Sequence, residues 1–555
     1  MASTSMQPRR GFFETQRGRV ILENLTAYLF LAPAGLIIFL FGLFPVAFAF
    51  FVSLHQWRRF PGEYRGLDSY VEAVGSFAYI AFFWLALGLF AYAAYSLWRL
   101  WRESEDERTG LAQFIPGIAI AVATMAFINW FFKLLPFVLN VPIRMRGLEI
   151  TRELFIEEFF KSFRFEPALS AANWMWLSLG VAIVLTMIIY RLLRTPHSGR
   201  FMLLSFFAGM TFIGGALLLQ LTINEINVAI QEALEAEESL PIWSQIIFIS
   251  AGFGLLFAAY YTWTRATNSH DERDFMLSAF AAILLIIGAV LLIVELPKAL
   301  SAGDDDVFRG FNVTVMYAVF SVPLQLTLGL GLAVLLFQNI RGKSFFRMIY
   351  FLPYITPFAA TSVIFTLLFS HRSGSPANRM LQTIGLDTQV WLQSPRGIFQ
   401  VIFGNIVPDQ LAGPALALVV IILYTVWVYA GYSAVIFLAG LGGIPKEMYE
   451  AARIDGANSW QQFRFITLPL LSPTTFFLTL IATIGTFQAF TQIFLLRQPG
   501  SYNAVDTINI YIYEELRSSA PDYAYGSAMA FVLFGVILVL TLVQNRYAQR
   551  RVFYG

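Results

Sequence analysis

Apolar residues in this chain gather in long blocks rather than alternating with polar ones, and the blocks define the predicted elements. A helix needs about 20 apolar residues to cross the hydrocarbon core of a bilayer. Twelve runs meet that criterion: 26–54, 77–100, 112–139, 172–194, 201–223, 243–264, 275–296, 312–337, 345–370, 414–440, 473–496 and 526–545. Backbone groups in lipid must bond within their own segment, and these runs are far longer than the alternating strands of a barrel. The expected fold is all-α, a polytopic helical membrane protein of about 12 transmembrane helices.

Composition agrees: of 555 residues, 57% are hydrophobic, 16% aromatic and only 13% charged, and the mean hydropathy is +0.65. A formal charge of +2 gives no bulk attraction to nucleic acid. The lack of cysteine excludes disulfides, thiolate metal sites and a cysteine nucleophile. His55, His197, His270 and His371 are scattered without ligand spacing, so no metal site is expected. The opening "MASTSMQPRRGFFETQRGRV" precedes a run too long for a signal peptide and reads as the lead into a retained first span. Basic residues in alternate connections place both termini in the cytoplasm, while "INEINVAIQEALEAEESLP" and "SAGDDDVF" fall on the acidic outer side. Residues 141–167 carry both signs and break the pattern, and "GLEITRELFIEEFFKSFRF" within them reads as an interfacial helix or an ordinary amphipathic connector. Lys133, close to the outer end of its span, is expected to snorkel to the interface. Asp304 to Asp306 read as solvated charge.

One polar segment sits between two apolar runs on the expected cytoplasmic side. "PKEMYEAARIDG" has proline at a plausible first helical position and glycine where the helix would stop, and "SWQQFRFITL" forms a second short helix ending at Pro469. Two short helices joined through Gly456 form a docking surface or, equally, an amphipathic loop resting on headgroups. Glu450, Ala451, Ala452, Gly456, Ile466, Leu468 and Pro469 match the E-A-A-x3-G-x9-I-x-L-P loop in identity and spacing. In that loop the chain resembles the permease subunits of binding-protein-dependent ABC importers. "LFLAPAGLIIFLFGLFPVAFAFFVSL", the stretch from Asn312 to Pro357, and the chain from Ala415 onward look like the core spans of the carbohydrate-uptake branch, which includes the maltose, lactose and glycerol-phosphate permeases.

On the residues themselves Glu450, Arg453 and Asp455 could set a partner's register, and the resemblance implies that this loop couples the spans to a partner ATPase, with Glu450 making the polar contact and Ala451, Ala452 and Gly456 allowing close approach. It also implies a second homologous permease, two cytoplasmic ATPase subunits that bind ATP and Mg, an extracytoplasmic binding protein, and a prokaryotic plasma-membrane location. This chain would carry no cofactor and no enzyme activity. "RGKS" at Arg341 follows a span and has Phe337 where a phosphate loop needs glycine. The domain reading is a cytoplasmic segment 1–25, a first core helix and outer loop 26–76, an inserted six-helix region 77–303 that departs from the family, and five further core helices in 304–555 with the coupling loop 441–472.

The substrate path is sought among hydrogen-bonding groups inside the spans, where they are costly enough to suggest function. Gln488 and Gln492, four apart with Thr491 beside them and Thr486 before them, share one expected helix face; Thr425, Tyr429 and Tyr432 share another. Such groups bind sugars or serve as helix-helix glue. The core spans carry no carboxylate or ammonium well inside them, which disfavours an ion-coupled secondary transporter and, within the family, a phosphorylated substrate over a neutral sugar or polyol.

Overall fold

The computed structural model describes residues 16–58, 61–104, 114–149, 151–193, 198–237, 240–266, 273–338 and 340–552. The start of the predicted cytoplasmic segment, the connections 105–113, 194–197 and 267–272, and with them His197 and His270, lie outside the described residues.

The first span is α1 (Gln16–Ile38) and α2 (Phe44–Ser53), joined by a π-helical turn over Phe39–Leu43. Pro45 in the first turn of α2 has no N–H to give the preceding turn, which accounts for the widened turn just before it. A small antiparallel hairpin follows, β1 (His55–Trp57) with β2 (Pro61–Tyr64), then α3 (Asp68–Val74). The next stretch holds α4 (Phe77–Ser104), α5 (Phe114–Leu139), α6 (Val141–Arg144), α7 (Arg152–Ser162), α8 (Glu166–Leu193), α9 (Ser198–Glu235), α10 (Ile242–Ala266) and α11 (Arg273–Leu300). Here α4 packs on α9, α5 on both α8 and α9, and α10 on α11. Their ends join the rest of the protein through one apolar cluster, in which Ile80, Ile226, Ile249 and Ala299 meet Leu67 of the α3 loop and Met529 and Leu533 farther along the chain.

The remaining helices are α12 (Asp305–Phe337), α13 (Lys343–Ile355), α14 (Phe358–Leu368), α15 (Pro376–Thr383), α16 (Ile398–Phe403), α17 (Leu416–Gly442), α18 (Lys446–Ile454), α19 (Ser459–Gln462), α20 (Leu468–Leu470), α21 (Ser472–Phe487), α22 (Thr491–Leu496), α23 (Tyr502–Val505), α24 (Ile508–Arg517) and α25 (Tyr523–Arg551). Ten helices among the described residues are long and apolar enough to cross a membrane, and twelve if two bent pairs each count as one span. The centre is α17: 61% of its apolar window is buried, against 11–33% in the other unbroken spans. It is apolar all round, as a helix enclosed by α12, α13 and α21 must be.

Four expectations are corrected. The run 345–370 is not straight, because α13 and α14 meet at 95°; Thr356 is extended, the conformation favoured before a proline, here Pro357. The run 473–496 breaks at Gln488–Phe490. Pro469 does not end a helix but lies within a continuous helical run, directly after a π-helical turn over Phe463–Thr467, as Pro45 does after Phe39–Leu43. Asp304 is not merely solvated: it caps α12 by accepting from the Asp306 amide at 2.8 Å and accepts from the Tyr525 hydroxyl at 2.6 Å, while Asp306 pairs with Arg309 at 2.6 Å. In the mixed-charge connection, Thr151 caps α7, Arg144 holds Glu158 at 2.8 Å, and Phe155, Ile156 and Phe160 stay exposed.

Candidate functional site

A cavity of about 150 Å³ lies among α12, α13, α17, α21 and α22. Thr425, Tyr429 and Tyr432, expected to share a face, all line it, together with Thr486 and Gln492. Gln488 and Thr491 do not: the helix break turns both to the surface, so the four-residue spacing of the two glutamines is not that of a continuous helix. Tyr317, Gln325, Tyr354 and Ser433 complete the polar lining. Tyr317, Ser321 and Gln325 recur every four residues along an otherwise apolar run, a stripe that marks one helix face and could have flagged α12 in advance.

The hydrogen bonds run in one direction. Thr425 donates its hydroxyl to the Ile421 carbonyl at 2.9 Å, so it accepts from the Tyr317 hydroxyl at 2.7 Å; Tyr317 in turn accepts from the Gln492 amide at 3.2 Å. This chain fixes three of the wall groups. Gln325, only 3% exposed, has no partner for its Oε1 among the described residues and lines the cavity with a free acceptor. Buried polar atoms without partners are uncommon because the lost hydration is not returned, so a ligand hydroxyl donating to Oε1 would relieve a standing cost. Tyr354 stacks on Tyr432 with centroids 4.7 Å apart and meets Tyr429 edge-on at 5.9 Å. The break after Phe487 is held open by Asn509, whose amide donates to the Phe487 carbonyl at 2.8 Å and so supplies a partner the helix no longer provides.

Beyond the break, Arg497 donates to Asp506 at 3.1 Å and to Glu514 at 2.6 Å, between the rings of Phe494 and Tyr502. Burial pushes the Asp506 carboxyl up to about 6, with Arg497 opposing the shift.

The second surface is the polar loop. Helix α18 begins after Pro445, one residue later than the position expected for it, and ends at Gly456, whose φ of 80° is the left-handed geometry that glycine adopts without strain. Glu450, Ala451, Asp455 and Gly456 are exposed, as are Leu468 and Pro469; Ala452 is half-buried. Ile454 is 87% exposed, and Trp460 and Phe465 of the same loop are exposed too, so the loop presents several large apolar side chains. Ile466 has a different place: with Tyr449 it packs under the loop against Leu441, Leu471 and Leu478, and Tyr449 bonds Thr467 at 3.0 Å. The loop is therefore tied through Tyr449 and Ile466 to α12, α17 and α21, which wall the cavity.

Among the described residues no group of three or more histidine or acidic side chains could hold a metal ion. A family model described as the inner membrane component of binding-protein-dependent transport systems matches residues 325–553. The lactose transport system permease protein LacF of Rhizobium radiobacter is 32% identical over 45% of this chain and 78% of its own length. The arabinooligosaccharides transport system permease protein AraP of Halalkalibacterium halodurans is 32% identical over 43% of this chain and 69% of its own. The solved structure of a bacterial ABC transporter involved in importing alginate is 24% identical, covers 50% of this chain and 96% of that one, and has a TM-score of 0.38. The matched stretch contains the whole polar loop and most of the cavity wall, and on the family model and the likeness to the lactose permease the chain belongs to the family of inner membrane components of binding-protein-dependent transport systems.

Proposed function

We propose that this chain is one permease subunit of an ABC importer that moves a neutral sugar or polyol into the cytoplasm by alternating access. The observation that carries the reading is the cavity: hydroxyls, amides and tyrosine rings line it, and no carboxylate, ammonium or guanidinium among the described residues does. Such walls match a substrate rich in hydroxyls, by hydrogen bonding and by stacking on aromatic faces. A glycerol phosphate would call for a cation there.

In this reading the exposed face of α18 with Ile454, Trp460 and Phe465 seats in a partner ATPase, two copies of which bind ATP and Mg. Glu450 and Asp455 set the register, and Ala451, Ala452, Gly456, Leu468 and Pro469 keep the approach close. Ile466 transmits motion to the spans. A second permease subunit covers apolar surface such as Phe30, Leu31 and Phe41 of the first span, which are 81%, 64% and 78% exposed. A binding protein delivers substrate outside, and both termini lie in the cytoplasm of a prokaryotic cell. The stretch 77–303 is a region added to the six-helix core.

The test is ATP-dependent uptake of a labelled sugar panel by vesicles holding the whole complex, with Glu450→Ala and Gly456→Pro beside the wild type. Uptake that collapses in assembled variants supports the coupling role. Uptake driven by an ion gradient without ATP overturns the reading.

A further inference from the structure

Helix α7 is stapled by its last turn to the end of a span. The Arg144 guanidinium donates to the Phe137 carbonyl, the Glu158 carboxylate and the Ser162 hydroxyl, each at 2.8 Å, and Ser162 donates to the same Phe137 carbonyl at 3.1 Å. Phe137 lies in the last turn of α5, whose carbonyls have no partner within the helix. With 26 residues α5 is about 39 Å long, so its last turn stands at the edge of a hydrocarbon core of about 30 Å. The staple therefore holds α7 at headgroup level, and α8 starts back at Glu166, just past Ser162.

At about 100° per residue the surface of α7 divides into three sectors. Glu158 and Ser162 mark the one against α5; Phe155, Ile156, Phe159, Phe160 and Phe163 form a second, about 140° wide; Glu153, Glu157 and Lys161 form a third. Arg152, in the first turn, falls within the apolar sector, and its stem is long enough to carry the charge out of it. Phe163 shows which way the apolar sector points. It meets Phe159 edge-on at 5.4 Å and lies 6.4 Å from the ring of Trp130. Trp130 is seven residues, about 10 Å, nearer the middle of α5 than Phe137. The aromatic side of α7 is thus turned towards the bilayer interior, and Phe155, Ile156 and Phe160 on that side stay exposed.

We propose that α7 lies flat in the leaflet at the Leu139 end of α5, with Phe155, Ile156 and Phe160 sunk into the boundary between headgroups and acyl chains. One charged sector, one aromatic sector and a fixed height at the interface are what such a helix needs. A docked helix fits less well, because close approach in lipid uses small residues and this sector is built of phenylalanine and isoleucine. Arg152 and Lys161 offset Glu153 and Glu157, and Arg144 offsets Glu158, so apolar burial rather than attraction to anionic headgroups drives the insertion.

The chain has no cysteine, so single nitroxide labels can be placed on the full-length protein in nanodiscs of phosphatidylcholine. Labels at Phe155→Cys and Ile156→Cys should collide with oxygen and be shielded from a nickel chelate, about 5–10 Å below the headgroups. Labels at Glu157→Cys and Lys161→Cys should show the reverse, and added phosphatidylglycerol should leave all four unchanged. Nickel reaching 155 and 156 as freely as 157 and 161 would make α7 a solvated connector and overturns the proposal. Neither reagent reaching 155 and 156 would mean that protein covers them and overturns it equally, as does a depth that appears only with phosphatidylglycerol. Should the labels disturb folding, a bilayer-soluble aryl diazirine on wild type decides: adducts on Phe155, Ile156 or Phe160 support the insertion, and adducts on the flanking spans with none on α7 refute it.

Discussion

Gly431 is the position where one added methyl group should do the most damage. It lies on α17 between Tyr429 and Tyr432, facing the backbone of α13 at Tyr350. A Cβ at 431 would stand 2.6 Å from the Tyr350 carbonyl carbon and closer still to its oxygen. Comfortable carbon contacts begin near 3.5 Å, so α13 would have to retreat by about 1 Å. The obstacle is backbone within a helix, not the end of a flexible side chain, which puts Gly431→Ala at or above the usual cost of overpacking, about 1–3 kcal/mol. The same retreat moves Tyr354 away from Tyr432 and leaves the cavity malformed. Gly535→Ala is the control: a Cβ there meets nothing within 4 Å, and alanine improves helix propensity by up to about 1 kcal/mol. The assay pairs thermal unfolding of the purified chain with uptake by the assembled transporter. Gly431→Ala should melt clearly below wild type and lose uptake through the displaced α13, while Gly535→Ala should match or exceed wild type in stability. A Gly431→Ala protein that melts and transports as wild type would refute the close packing of α13 on α17.

Gln325→Leu should leave stability unchanged or raise it, because the amide oxygen has no partner to lose; half-maximal uptake should need about tenfold more sugar, for a lost hydrogen bond of roughly 1–1.5 kcal/mol. The loop surface and its anchor should separate: Ile454→Ser leaves the melting point alone but weakens ATPase co-purification, whereas Ile466→Ala lowers the melting point by removing packing beneath the loop, about 2 kcal/mol at a half-buried site. Asp506 contributes a pH dependence of defined sign. Its folded carboxyl, raised from 3.8 to about 6, adds stability that is fully present below pH 3.8 and lost as pH rises through about 6. Thermal melts should therefore rise between pH 7.5 and 5, and the rise should shrink in Asp506→Asn; an identical profile in the variant would rule the carboxyl out.

The apolar blocks determined the fold class and nearly every span, because a helix in lipid needs only length and apolarity and must satisfy its own backbone. The Pro445–Gly456 helix was legible for a similarly local reason: its glycine stop is a property of one residue's backbone freedom. The cavity was only half legible. Thr425, Tyr429 and Tyr432 lie on one unbroken helix, so their spacing translated directly into a shared face. The pair Gln488 and Gln492 failed because the break between them is paid for from outside, by Asn509 twenty-two residues from the Phe487 carbonyl it caps. Tyr354 reaches the cavity because α13 lies close along α17, where Gly431 has no side chain. Ile466 shows the same division: its place in the loop was readable, but its burial beneath the loop depends on where α12, α17 and α21 converge. Period and composition are local and survive in the one-dimensional chain. Which polar groups meet, which carbonyl is capped and which face stays bare depend on contacts between distant segments, and those only the folded structure fixes.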